Sequence, residues 1–430
     1  MTSMLHRVFA LREGETAPVL LSTLLFWLLL TAYYMLRPLR EEMGLAGGVD
    51  NLPGLFMITL GAMVLVAPLL GWLVRRYRRE VFLPAALHFF AANLVLFYLA
   101  LRFTTGDELV VVGRVFYVWL SVFNLCVLSL FWAFMVDGFG YERSRRLFGI
   151  VALGGTAGAI VGSGLTTLLV GAVGRHNLVL AALVLLEAAV ACILVLSRRF
   201  YAAGYEPTAH EAPGGGILAG VTRTVKSPYL LGISAYIFLY SLTATFLYFE
   251  QARIIAANVV GRDARTAMFG QIDLWTNVLT LGCQLFLTGR LLRALGAGLV
   301  LAMLPLAVGL GFAALGAWPT LTVLVIFQVA RRAGNYALAK PARETLFTVL
   351  DREDRYKAKN FIDTFVYRGG DALGAGIFAR ITATGLVSVA WLAVPVAAVW
   401  LVVALALGRR QRTLARRRAA DGGTGPATVS

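Results

Sequence analysis

Charged and polar side chains recur at helical spacing inside otherwise apolar stretches of this sequence. Asp273, Asn277, Thr280 and Gln284 stand at i, i+4, i+7 and i+11, one face of a helix. Arg114, Tyr117, Ser121 and Asn124 repeat the pattern in a second stretch, and Gln328, Arg331, Arg332 and Asn335 fall within two turns of a third. Asp363, Tyr367 and Asp371 share a face, with Arg368 one turn before Asp371, and Tyr33, Arg37, Arg40, Glu41 and Glu42 close the first stretch. Guanidinium groups form bidentate, charge-assisted hydrogen bonds to phosphate and carboxylate. The chemistry within reach is therefore reversible binding of an organic anion. Arg37, Arg40, Arg331, Arg332 and Arg368 would attract it, and Asn124, Asn277 and Asn335 would orient its polar part. Tyr367 or Tyr117 would stack on a ring. Asp273, Asp363 and Asp371 would hold the arginines while the site is empty, and one of them could carry a coupling proton.

Each stripe has a plainer reading. Polar groups glue membrane helices together at about 0.6 to 2 kcal/mol per hydrogen bond, and Arg114, near an outer boundary, has the reach to snorkel. Arg331 and Arg332 lie too deep for that and need anionic partners. His88 stands alone in the third stretch and reads as a hydrogen-bonded core residue. Glu187 is solitary in the sixth, either paired with a residue the sequence does not reveal or protonated. No catalytic constellation emerges. The four histidines are scattered, Cys126, Cys192 and Cys283 sit inside apolar stretches, and GxxxxGK[S/T] is absent, so neither a nucleophile with its base, a metal centre nor a nucleotide-hydrolysing loop is expected. No cofactor is implied.

The elements that position these residues are membrane helices. A hydrocarbon core roughly 30 Å thick needs about 20 apolar residues, and twelve stretches qualify: Ala17 to Leu36, Leu52 to Val74, Val81 to Leu101, Leu109 to Val136, Phe148 to Val173, Leu178 to Leu196, Tyr229 to Phe249, Ala267 to Leu287, Gly298 to Gly316, Leu321 to Ala339, Phe361 to Thr384 and Leu386 to Leu407. A content of 59% hydrophobic and 14% charged residues agrees. The net charge of +16 is mainly a topology signal. Most Lys and Arg fall in the N-terminal tail, every second gap and the C-terminal tail, which places both termini in the cytoplasm. Anionic lipid is a secondary partner and nucleic acid is not expected. Lys226, Lys340, Lys357 and Lys359 are the only lysines among 39 basic residues, a bias that fits a GC-rich bacterial genome and hence a bacterial inner membrane.

Pro207, Pro213 and Gly214 to Gly216 mark a flexible linker between the sixth and seventh spans. The predicted organisation is a six-helix bundle over 1–200, a cytoplasmic linker over 201–228, a second bundle over 229–410 and a basic tail over 411–430. The halves echo each other. Gly71 to Tyr77 corresponds to Gly289 to Gly296, and Arg145-Arg146-Leu-Phe148 followed by Gly154-Gly155 corresponds to Ala358-Lys359-Asn-Phe361 followed by Gly369-Gly370. Such parallel repeats resemble the major facilitator architecture, although Arg75 and Arg293 occupy the acidic position of its loop motif. The gap after the tenth span is charge-dense, with Asp351/Arg355 and Glu353/Lys357 at i, i+4. It reads as a solvated cytoplasmic face in which Lys340 and Lys359 could extend the basic lining.

Four segments resemble the bacterial and plastid ATP/ADP translocase family: Met35-Leu-Arg37-Pro-Leu-Arg40-Glu41, Phe131-Trp132-Ala-Phe134, Lys340-Pro-Ala-Arg343-Glu344, and Lys357-Ala-Lys359-Asn-Phe-Ile362-Asp363. The resemblance implies a major-facilitator-like fold and nucleotide exchange, with Arg40 at the family's first basic position. The family's acidic position falls near Leu120 and Ser121, and a later lysine falls on Asp371, as in a divergent member. The expectation is an all-α, monomeric carrier of a small organic anion, a nucleotide by resemblance, whose halves rock about a central site. The alternative is a proton-coupled symporter or exporter of another small molecule.

Overall fold

The computed structural model describes residues 14–202, 217–350, 358–359, 361–384 and 388–421. Among them every regular element is helical. An apolar chain in lipid must satisfy each backbone amide and carbonyl internally, and helices do so without partners. They are α1 (Thr16–Ala46), α2 (Leu52–Arg76), α3 (Arg79–Phe103), α4 (Gly106–Val173), α5 (Arg175–Ala202), α6 (Ile217–Lys226), α7 (Pro228–Asn258), α8 (Arg262–Cys283), α9 (Gly289–Ala317), α10 (Leu321–Gly334), α11 (Lys340–Leu346), α12 (Tyr367–Thr384) and α13 (Val389–Asp421).

Each of the twelve predicted spans falls wholly or largely on helical turns, the first two residues of the last span, 386 and 387, lying outside the described residues, and nine helical segments among the described residues are long and apolar enough to cross a membrane. The differences lie at the joints. The fourth and fifth spans form one element broken at Gly140, where φ is +68°. The eighth and ninth run on through Gly296, φ +74°. Both angles belong to the left-handed region that glycine enters without steric cost. The eighth, tenth and eleventh spans each contain a π turn, at Gln284–Thr288, Asn335–Ala339 and Ile362–Val366. A π turn frees carbonyls from the regular ladder. Here Thr288 donates to the Ala337 carbonyl at 2.8 Å and Ser241 to that of Tyr367 at 2.8 Å. The linker residues Pro207, Pro213 and Gly214 to Gly216 and the pairs Asp351/Arg355 and Glu353/Lys357 lie outside the described residues.

Two compact units emerge, Met1–Glu211 with Val259–Asn277, and Ala212–Asn258 with Val278–Ser430. In the first, α1 packs on α4 and α5, and Phe26 stacks on Phe131 with centroids 4.4 Å apart. Glycines set the spacing of α1 against the second half of α4: a Cβ on Gly158 would stand 2.5 Å from the Trp27 carbonyl oxygen, and one on Gly154 or Gly162 would strike the backbone of Thr23 or Thr31. The second unit repeats the device, with Gly370 and Gly374 of α12 seated on Phe238, Ser241 and Thr245 of α7. Of the paired glycines noticed in sequence, Gly154, Gly155 and Gly370 are thus close-packing points, as small residues in membrane helices generally are, whereas a Cβ on Gly369 would meet nothing within 4 Å.

Candidate functional site

In the first unit the C-terminal part of α1 carries the charged cluster. Arg37 Nη1 donates to Asp273 Oδ1 at 2.7 Å, joining α1 to the first half of α8. One turn on, Arg40 Nη1 meets Glu41 Oε1 at 2.7 Å, and its Nε donates to the Tyr117 carbonyl at 3.1 Å. The Arg40 guanidinium lies 3.8 Å from the centroid of the buried Tyr117 ring, a cation–π contact. Glu42 is fully buried and held by Arg175 at 3.3 Å and Arg262 at 3.8 Å, and Arg175 also reaches Asp263 at 3.0 Å. Carboxylates this deep persist only with such partners. Arg114 is exposed and Asn124 partly buried. Asn277 is buried, and its Nδ2 finds no acceptor among the described residues.

In the second unit Asp371 accepts hydrogen bonds from Ser241 and, at 3.3 Å, Thr245, while Arg368 Nη1 approaches its other oxygen at 3.4 Å. Arg343 lies 3.6 Å from Asp363, and Lys359 meets Glu344 at 2.5 Å. Asn335 opens the second π turn and is partly buried; Lys340, just past that turn, is exposed. An aromatic cluster lies on α7: Tyr240 is 5.9 Å from Trp400 and 6.0 Å from Tyr367, centroid to centroid. Arg331 and Arg343 are within electrostatic range of Tyr240.

Arg331 departs from the expectation. It is 7% exposed, yet its one side-chain hydrogen bond among the described residues is to a neutral amide: Nε donates to Gln328 Oε1 at 3.2 Å, and Gln328 in turn donates to Gln251 at 2.5 Å. Its Nη1 has no partner. The three aspartates expected to hold it are elsewhere, Asp273 with Arg37, Asp363 with Arg343 and Asp371 with Arg368. Arg332 is equally buried beside it. A second correction concerns His88, expected to be a hydrogen-bonded core residue: it is hydrogen-bonded but 56% exposed. Its Nδ1 lies 3.1 Å from Glu187 Oε1, so the two solitary residues are each other's partner.

Sequence reading passed over Tyr240, Ser241, Thr245 and Gln251 on α7. Ser241 and Thr245 stand at i, i+4 in an apolar span, which is the signal that would have found them.

Fold and sites together define a polytopic α-helical membrane protein with buried charge clusters in both units. Solved structures of the same fold include a POT family transporter in complex with 5-aminolevulinic acid, at TM-score 0.62 and 10% identity over 91% of this chain and 96% of that one. An auto-inhibited POT family peptide transporter aligns at 0.60 and 15% identity, over 93% and 97%. In sequence the chain is similar to ADP,ATP carrier protein 1 of Chlamydia trachomatis, 24% identical over 171 residues, 35% of this chain and 32% of the carrier. The corresponding carrier of Chlamydia pneumoniae is 23% identical over 232 residues, 47% and 45%. The chain thus spans between about a third and a half of the length of the curated relatives it matches. No family model matches.

Proposed function

We propose that the chain is a secondary carrier of a small organic anion, working by alternating access in a bacterial inner membrane with both termini in the cytoplasm. The observation that carries this reading is the buried Arg331 guanidinium, which has no carboxylate among the described residues. A charge left in such a setting is strongly destabilising, and an anionic substrate would relieve it. The aromatic cluster around Tyr240 and Tyr367 suits a ligand whose anionic group is attached to a ring. Similarity to ADP,ATP carriers favours a nucleotide, and exchange is then the mode of transport.

The test is uptake into liposomes reconstituted with the purified protein. Labelled nucleotide should enter only vesicles preloaded with unlabelled nucleotide, and Arg331→Ala should abolish entry. Uptake that ignores this substitution would remove the reading. A proton-coupled carrier is the second reading. It rests on Asp371, a buried carboxylate held by Ser241, Thr245 and Arg368 and so placed to alternate between protonated and ion-paired forms.

A further inference from the structure

His88 and Glu187 belong to neither charged cluster. They stand on α3 and α5, neighbouring helices of the first unit, and are 56% and 46% exposed. Glu187 lies midway along the sixth span, about 13 Å from either end at 1.5 Å per residue. The surface around the pair is apolar, with Phe89, Leu96, Val184 and Leu194 all exposed. An imidazole and a carboxylate therefore face acyl chains at the depth where ionisable groups are least tolerated. Lipid headgroups do not reach that depth.

The pair is also half used. His88 bonds through Nδ1 and Glu187 through Oε1, and Nε2 and Oε2 have no bond among the described residues. As an imidazolium the ring donates from both nitrogens, and a carboxylate accepts at both oxygens. One donor and one acceptor side by side complement themselves under a two-fold rotation. Ala85, Ala92, Ala188 and Ala191 are exposed around the pair and allow another helix to approach closely.

We propose that this face is where a second copy of the chain docks about a two-fold axis, His88 of each copy donating to Glu187 of the other. This replaces the monomer expected from the sequence. The contact closes a ring of four side chains and removes all of them from lipid.

The test is to count copies in lipid nanodiscs cut directly from the expressing membrane, by mass. Two copies per disc are expected. His88→Leu combined with Glu187→Leu, which suits a lipid-facing surface and should fold, should lower the two-copy fraction about tenfold. His88→Glu or Glu187→His alone should lower it as well, by setting like groups together. The exchange of both should restore it. Unfolding temperature separates loss of pairing from loss of fold. Single copies in wild-type discs, a different protein in the second position, or a two-copy fraction unmoved by the leucine pair would each overturn the proposal.

Discussion

Arg37 and Asp273 meet at 2.7 Å although 236 residues separate them in the chain, and the carboxylate is only 4% exposed. The contact ties the end of the first span to the first half of α8. Five residues further along α1, Glu42 meets Arg262 at the start of α8 and Arg175, which also meets Asp263, so two separate sets of ion pairs hold that segment within the first unit.

Breaking such a pair from one side leaves a buried charge. Arg37→Ala is expected to lower stability by about 3 kcal/mol, read as a fall in unfolding temperature of the protein in lipid. The exchange Arg37→Asp with Asp273→Arg should recover part of the loss, because the charges attract in either order.

Arg331 should behave in the opposite way. Arg331→Met removes a charge that has no carboxylate partner among the described residues, so the empty protein is expected to gain about 1 kcal/mol while losing ligand response. A ligand at 100 times its dissociation constant adds about 2.7 kcal/mol to the bound fold. The thermal shift given by nucleotide should vanish in this variant, and a lower unfolding temperature without ligand would contradict the assignment.

Exchange and proton coupling separate at Asp371. Vesicles carrying the wild-type protein should respond to internal counter-substrate and not to an imposed pH gradient. If a pH gradient alone drives uptake, and Asp371→Asn abolishes that component, the symport reading takes its place.

Close packing of α1 on α4, and of α7 on α12, gives a test independent of substrate. Gly158→Val and Gly370→Val place side-chain atoms where the Trp27 carbonyl and the Ser241 side chain already stand. Overpacking of this kind costs about 1 to 3 kcal/mol, so both variants should unfold earlier. Gly369→Ala, whose Cβ would meet nothing within 4 Å, should not.

The helices were legible in the sequence because length and hydropathy suffice for a membrane span. The stripes of Asp273 and Arg331 were legible because charged residues are rare in such stretches. Pairing was harder to read. Helical periodicity fixes which face of its own helix a residue occupies and leaves open the helix it meets, so Asp273, Asp363 and Asp371 stand in sequence as interchangeable partners of the arginines, and the bonds of Asp371 to Ser241 and Thr245 on α7 could not be read. His88 and Glu187 illustrate the same limit, 99 residues apart and yet in contact. The π turns left no trace in apolar periodicity, because a single widened turn shifts it by less than the scatter of hydrophobic positions.

A π turn accommodates one residue more than the α turn it replaces. Past Asn335–Ala339 every later side chain is therefore rotated by about 100° relative to an uninterrupted helix. Arg331 precedes that insertion and Arg343 follows it, so the angle between these two cations is set by a single added residue. Deleting one residue from 335–339, all of them uncharged, would leave the net charge as it is and would still point the two guanidiniums along different bearings. The alignment of cations in this helix is thus governed by residue count, a variable that point substitution never touches.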